Sequence, residues 1–278
     1  MRSSDLISLL ACMLAITGLS SSFSLRGEVD SGNHPDNFSQ PPAHRADKSC
    51  VPNDFKIMVD VGHTPEASGA LSARGVPEYD FNLELAKRIE NKLRENGYTQ
   101  TRLLKMRGIG KTQLMQRATL ANSFGADAFL SVHHDDVQPR YYKEWVYNGR
   151  NHHFSNKFSG YSLFVSYQNK FFRESLEFAR LLGKELSDRG LKFSDHHSEN
   201  IPGERREILD KERGVYRFDQ LIVLKATKAP AVLLEAGVIV NQEEETSLRS
   251  LERQDSISAS VVEAVNQFCD KKQSLPRT

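Results

Sequence analysis

Histidine and glutamate are the side chains on which metal-assisted hydrolysis depends, and four of them stand where folding would gather them. His63 follows the run Ile57-Met58-Val59-Asp60-Val61, His133 follows Ala128 to Val132, and Glu235 follows Ala231 to Leu234. Short apolar, β-branched runs of this kind predict strands. Glu78 opens a segment with Phe81, Leu85, Ile89 and Leu93 at four-residue steps, the apolar stripe of a helix that stops at Asn96-Gly97. Open α/β sheets bind ligands at the carboxyl ends of their strands. The two histidines and two carboxylates can therefore converge. Two His and one Glu make a three-ligand zinc site that keeps a position open for water. A further Glu can take the water's proton.

The same residues also have plain structural readings. A strand-end histidine can simply be hydrogen-bonded, and a glutamate at a helix start favours the helix dipole. There is an internal rival as well. His63-Thr64-Pro65-Glu66 has the H-x-x-E spacing of some zinc carboxypeptidases, with Glu66 as ligand in place of Glu78. Spacing alone leaves both versions open.

The elements that must position these residues follow from pattern. Further strands are expected at Thr101 to Leu104, Tyr161 to Tyr167 and Leu221 to Leu224. Further helices are expected from a Thr112 cap to Phe124, over Phe171 to Arg189, over Glu243 to Leu251 and over Ser256 to Cys269. Residues 135–160 read as an irregular stretch and 194–213 as a polar one. The pairs His152-His153 and His196-His197 read as solvated loop histidines. Strands alternating with helices predict an α/β domain, its sheet covered by helices on both faces, over residues 54–272.

Residues 1–24 have the order of a secretory signal: Arg2, an apolar stretch from Leu6 to Leu19, then Ser20-Ser21-Ser22. Export to a periplasmic or extracellular, oxidising compartment is the expectation. Residues 25–53 are polar and rich in Pro and Gly, a linker that buries too little surface to order itself. The 37 basic and 36 acidic side chains of the 278-residue chain nearly cancel, which argues against a dedicated nucleic-acid binder. No apolar run reaches the ~20 residues of a membrane span. Cys50 and Cys269 remain once the signal is removed, and they can form a staple or stay as two thiols.

Ordered blocks add a resemblance. Asp60-Val61-Gly62-His63, Gly69-Ala70 and Gly75-Val76-Pro77-Glu78 form the first; Arg117, Ala121-Asn122 and Ala126-Asp127-Ala128-Phe129-Leu130-Ser131-Val132-His133 form the second. Arg213-Gly214-Val215, Leu233-Leu234-Glu235-Ala236-Gly237 and Asn241 form the third. Together, over about residues 56–268, they resemble the zinc-dependent N-acetylmuramoyl-L-alanine amidases of the type-3 amidase family. The resemblance implies a mixed, mostly parallel sheet flanked by helices, zinc ligands at His63, Glu78 and His133, and a catalytic Glu235. It prefers Glu78 to Glu66 because Gly75-x-x-Glu78 opens the helix as the family motif does. It prefers His133 to His134 because the family pattern is Ser-x-His.

The implied activity is hydrolysis of the amide between N-acetylmuramic acid and L-alanine in peptidoglycan, during wall remodelling or cell separation. Rival readings are a zinc peptidase acting on another amide and a non-catalytic wall-binding protein. Three departures stand out: His134-Asp135 replaces a small residue and Asn, Val238 replaces a common Phe, and 135–160 is long. Some members carry a segment that covers the zinc until a protein activator intervenes. The candidates for such a segment are 135–160 and 194–213.

Overall fold

In the structure, a computed structural model that describes residues 50–274, the apolar runs become strands and the striped segments helices. In chain order these are β1 (Ile57–Val61), α1 (Glu78–Glu95), β2 (Arg102–Leu104), α2 (Lys111–Phe124), β3 (Ala128–Asp135), β4 (Lys143–Tyr147) and β5 (Arg150–Phe154). Then come β6 (Ser162–Val165), α3 (Phe172–Asp188), β7 (Ile208–Asp210), β8 (Val215–Arg217), α4 (Ile222–Ala226), β9 (Ala231–Val238), α5 (Gln242–Leu248) and α6 (Leu251–Ser274). The signal expected at 1–24, and the linker up to residue 49, lie outside the described residues.

One seven-stranded sheet has the order β2-β1-β3-β9-β6-β8-β7, and β4-β5 form a separate hairpin. The strands β2, β1, β3 and β9 run parallel. β6 is antiparallel to β9, β8 is parallel to β6, and β7 is antiparallel to β8. The sheet is therefore mixed and mostly parallel, as expected. Alternation splits its side chains between two cores. Leu130, Val132, Val232 and Leu234 pack with Phe81, Leu85, Ile89 and Leu93 of α1 and with apolar residues of α3 and α6. Phe129, Ala231 and Leu233 pack on the other face with Ala121 of α2 and Val223 and Leu224 of α4. Each large apolar side chain so buried contributes roughly 1.5–3 kcal/mol of transfer free energy. No helix among the described residues is long and apolar enough to cross a membrane.

Cys50 and Cys269 form a disulfide, with a Cα–Cα distance of 5.3 Å that suits the bond. The Cys50 amide also donates to Asp270 Oδ1 at 2.7 Å. The staple and a short turn at Pro52–Asp54 place the start of the fold slightly before the linker boundary expected at residue 53.

Several elements differ from the sequence expectations. Leu221 to Leu224 is not a strand: Ile222–Ala226 is a helix, and the sheet position beside β6 belongs to β8. A four-residue apolar run carries no period that separates a strand from a buried helical turn. Thr112 is not a cap, because α2 already starts at Lys111, after Gly110 at φ 83°. The strand expected to end at Val132 continues to Asp135. The stretch 135–160, expected to be irregular, contains the β4–β5 hairpin. It turns at Asn148-Gly149, both with positive φ, as a two-residue hairpin loop of that composition requires.

Candidate metal centre

Gly62 and His63 follow the end of β1, and the chain there is held from below. Arg117 on α2, 1% exposed, pairs with Asp60 (Nη1–Oδ1 2.5 Å) and donates to the Val61 carbonyl at 2.5 Å and to the His63 carbonyl. The other Asp60 oxygen accepts from Ser131 Oγ at 2.8 Å. His63 adopts φ 63°, a left-handed conformation uncommon for a residue with a side chain. Strain of this kind tends to collect at functional sites, where the surrounding structure enforces it. Two glycines clear the space around His63, Glu78 and His133. A Cβ on Gly62 would overlap the His133 ring, and one on Gly69 would overlap Glu78 Oε2.

His63, Glu78 and His133 converge in this space, with their candidate ligand atoms all within 4.8 Å of one another. His63 Nε2 lies 2.9 Å from Glu78 Oε2, and His133 Nδ1 lies 3.0 Å from Glu78 Oε1. Burial acts to raise the Glu78 carboxyl. The hydrogen bonds from His133 and His63 outweigh it and hold the group well below the usual carboxylate range. Glu78 is thus an anion between two imidazoles, the charge state a cation site requires. The His63 side chain keeps 33% exposure, so the group opens to solvent on that side.

A second tier holds Glu78 in place. Asn82, one helical turn along α1, donates from Nδ2 to Glu78 Oε1 (3.1 Å) and to the Gly62 carbonyl (3.2 Å). With both amide protons so used, its Oδ1 accepts from His134 Nδ1 at 2.8 Å. Burial pushes the His134 imidazole down to about 3, so this donor is the neutral ring. His134 thus bonds Asn82 and lies outside the converging His63, Glu78 and His133 group. The sequence signal for Asn82 was its position four residues after Glu78 on one helix face. Arg117 belonged to the resemblance, but its partners are not legible from spacing.

Glu235 on β9 is in register with His133 on β3. β3 is buried along its length except at His133, and β9 except at Glu235. The register shifts just beyond the pair, a β-bulge of the sort that re-aims side chains beside active sites. Glu235 Oε2 is sealed from solvent with no hydrogen-bond partner among the described residues. Burial, then the Asp135 and Glu78 carboxylates, raise the Glu235 carboxyl well above the usual range, against a smaller pull from Arg206.

Glu66 stands apart from the ligand group. Its Oε1 lies 3.1 Å from Arg107 Nη1 and its Oε2 accepts from the Gly108 amide at 2.9 Å. The arrangement fits the Glu78 version and leaves the H-x-x-E version without its carboxylate. His152 and His153 lie on β5, in the hairpin and not in a loop. His196 and His197 are not solvated: they are 1% and 6% exposed and pack beside Asp135.

Comparison with known proteins points to one family. The sequence matches the family described as N-acetylmuramoyl-L-alanine amidase over residues 57–267. It is 28% identical over 196 residues to the N-acetylmuramoyl-L-alanine amidase CwlM of Bacillus licheniformis, covering 70% of this chain and 61% of that protein. It is 26% identical over 233 residues to the amidase AmiA of Escherichia coli K12, covering 75% and 74% respectively. Among solved structures, an N-acetylmuramoyl-L-alanine amidase from Clostridium difficile 630 superposes with a TM-score of 0.59 at 23% identity, covering 78% of this chain and 98% of that one. This chain thus spans less than two thirds of the length of the Bacillus relative.

Proposed function

The chain belongs to the N-acetylmuramoyl-L-alanine amidase family, and from that membership we propose that it is a zinc amidase of peptidoglycan, exported to the periplasm or beyond the cell. The reaction is hydrolysis of the amide that joins the lactyl group of N-acetylmuramic acid to L-alanine. The observation that carries the reading is that Glu235 is in register with His133, a member of the converging His63, Glu78 and His133 group, on two strands that are otherwise buried.

The residues fit zinc. Two imidazole nitrogens and an ionised carboxylate are the donor set of catalytic zinc sites with three protein ligands. His63, Glu78 and His133 would hold the zinc ion, which when bound would supply a Lewis acid for the amide carbonyl and for water. Asn82 and His134 hold Glu78 oriented, and Arg117 holds the His63 backbone. Glu235 accepts the proton of the attacking water at its carboxylate and delivers it to the nitrogen of the leaving L-alanine. Burial raises its affinity for protons, which favours its holding the proton between the two transfers.

The proposal extends to domain layout: a signal at 1–24, a linker to about residue 53 and a catalytic domain at 54–272. The disulfide supports an oxidising compartment. The test is a digest of purified peptidoglycan by the exported chain, with and without a chelator. Free stem peptides beginning at L-alanine, with intact glycan and loss of both products under chelation, are the expected result. Cleavage inside the stem would favour the zinc peptidase, and no release would favour the wall-binding protein.

A further inference from the structure

One strand step beyond His133 a second set of ligand-type side chains converges. His197 Nε2 lies 2.8 Å and His196 Nε2 lies 3.3 Å from Asp135 Oδ2. Asp135, His196 and His197 are 8%, 1% and 6% exposed. The far nitrogen of each ring is also engaged. His196 Nδ1 lies 2.8 Å from Ser194 Oγ, and His197 Nδ1 lies 3.1 Å from Glu204 Oε2. Glu204 is steadied in turn by Gln138 Nε2, at 2.6 Å from Oε1, and by Arg206. Imidazoles held at one nitrogen by a carboxylate or hydroxyl, with the other aimed at a shared point, are arranged as metal-ligating histidines are. Phe158 and Phe164 pack against the two rings at 5.1 and 4.8 Å.

The independent observation is His196 Nε2. It is buried and makes no hydrogen bond among the described residues, its 3.3 Å approach to Asp135 Oδ2 being an ion-pair contact only. Buried polar atoms are nearly always satisfied, and an exception calls for an ion or water. We propose that Asp135, His196 and His197 hold a second divalent transition-metal ion of the zinc class, separate from the one assigned to His63, Glu78 and His133. Two imidazoles and one carboxylate select such a cation over calcium or magnesium, which prefer all-oxygen shells. The rival is an imidazolium at His197 between the Asp135 and Glu204 carboxylates, with no metal. It accounts for His197 but leaves His196 Nε2 without a hydrogen bond. A metal at this point fastens the polar segment 194–213 to the end of β3. The assignment does not depend on the amidase reading.

The test is metal stoichiometry. The full mature chain is stripped with a chelator, then titrated with Co²⁺, followed by its d–d absorption, and with Zn²⁺, followed by elemental analysis. Wild type should bind two equivalents, His63→Ala one, His196→Gln one, and the double variant none. Circular dichroism and Tm confirm that each variant is folded. Anomalous scattering from wild-type crystals at the zinc edge provides a readout free of substitutions, with a peak between Asp135 and the two rings expected. One equivalent in wild type, abolished by His63→Ala, with no second anomalous peak, would overturn the proposal in favour of the charge-paired or water-filled cluster.

Discussion

His133 and Glu235 are register partners on the parallel strands β3 and β9, and each is the one position of its strand that is not fully buried. Neighbouring strands lie about 4.8 Å apart, and paired residues project from the same face. The pairing therefore sets a carboxyl beside a ligand without any loop having to bring it there. Glu78 arrives from the start of α1, and His63 from the strained end of β1. The sheet thus fixes His133 and Glu235 side by side, the rigid support that precise chemistry needs.

The ligand assignment makes a contrast between neighbours. His63→Ala or His133→Ala removes one of three donors, so zinc content and hydrolysis should fall together. Glu66→Ala should leave both close to wild type, since its carboxylate is occupied with Arg107 and the Gly108 amide. Elemental analysis and a muropeptide assay on the same preparations check this. Loss of metal in Glu66→Ala, with metal retained in Glu78→Ala, would restore the H-x-x-E version.

Asn82 should matter without touching the metal. Asn82→Ala removes the side-chain amide from Glu78 Oε1 and leaves His134 Nδ1 without its acceptor. Loss of such an outer support typically weakens metal binding about 10–100-fold. Competition against a chelator of known affinity measures it, and unchanged affinity would show that Glu78 is held well enough by the histidines alone.

The Cys50–Cys269 bond closes almost the whole described chain, with a sequence separation of 219. Chain entropy allows a loop of that length up to about 5 kcal/mol, and native-state strain usually lowers the figure. The exported chain should show no free thiol when unfolded without reductant, and its Tm should drop on reduction. Two titratable thiols in that experiment would contradict the staple.

The sequence was most informative where function and pattern coincide. The strands β1, β3 and β9 begin as short apolar runs; His133 and Glu235 come directly after those runs, within β3 and β9, and His63 lies two residues past β1. Glu78 opens a helix whose stripe is unambiguous. The resemblance decided between Glu66 and Glu78, which spacing could not. What stayed hidden depends on partners distant in sequence. Arg117 reaches Asp60 across 57 positions, and His197 reaches Asp135 across 62. Nothing local marks such pairs, so His196-His197 looked like any polar loop. The β4–β5 hairpin is a different case, because Asn148-Gly149 carries the signal of a tight turn.

The central claim is that the chain binds one ion at His63, Glu78 and His133 and moves a proton through Glu235. Glu235→Gln separates the two, since glutamine keeps the shape and hydrogen-bonding capacity but cannot take a proton. Zinc occupancy at that site, Tm and the rate of stem-peptide release are measured on one preparation. The account predicts unchanged occupancy, a folded protein and turnover lower by about 10²–10⁴-fold, the usual worth of general-base help. Turnover near that of wild type, with zinc still bound, would contradict it.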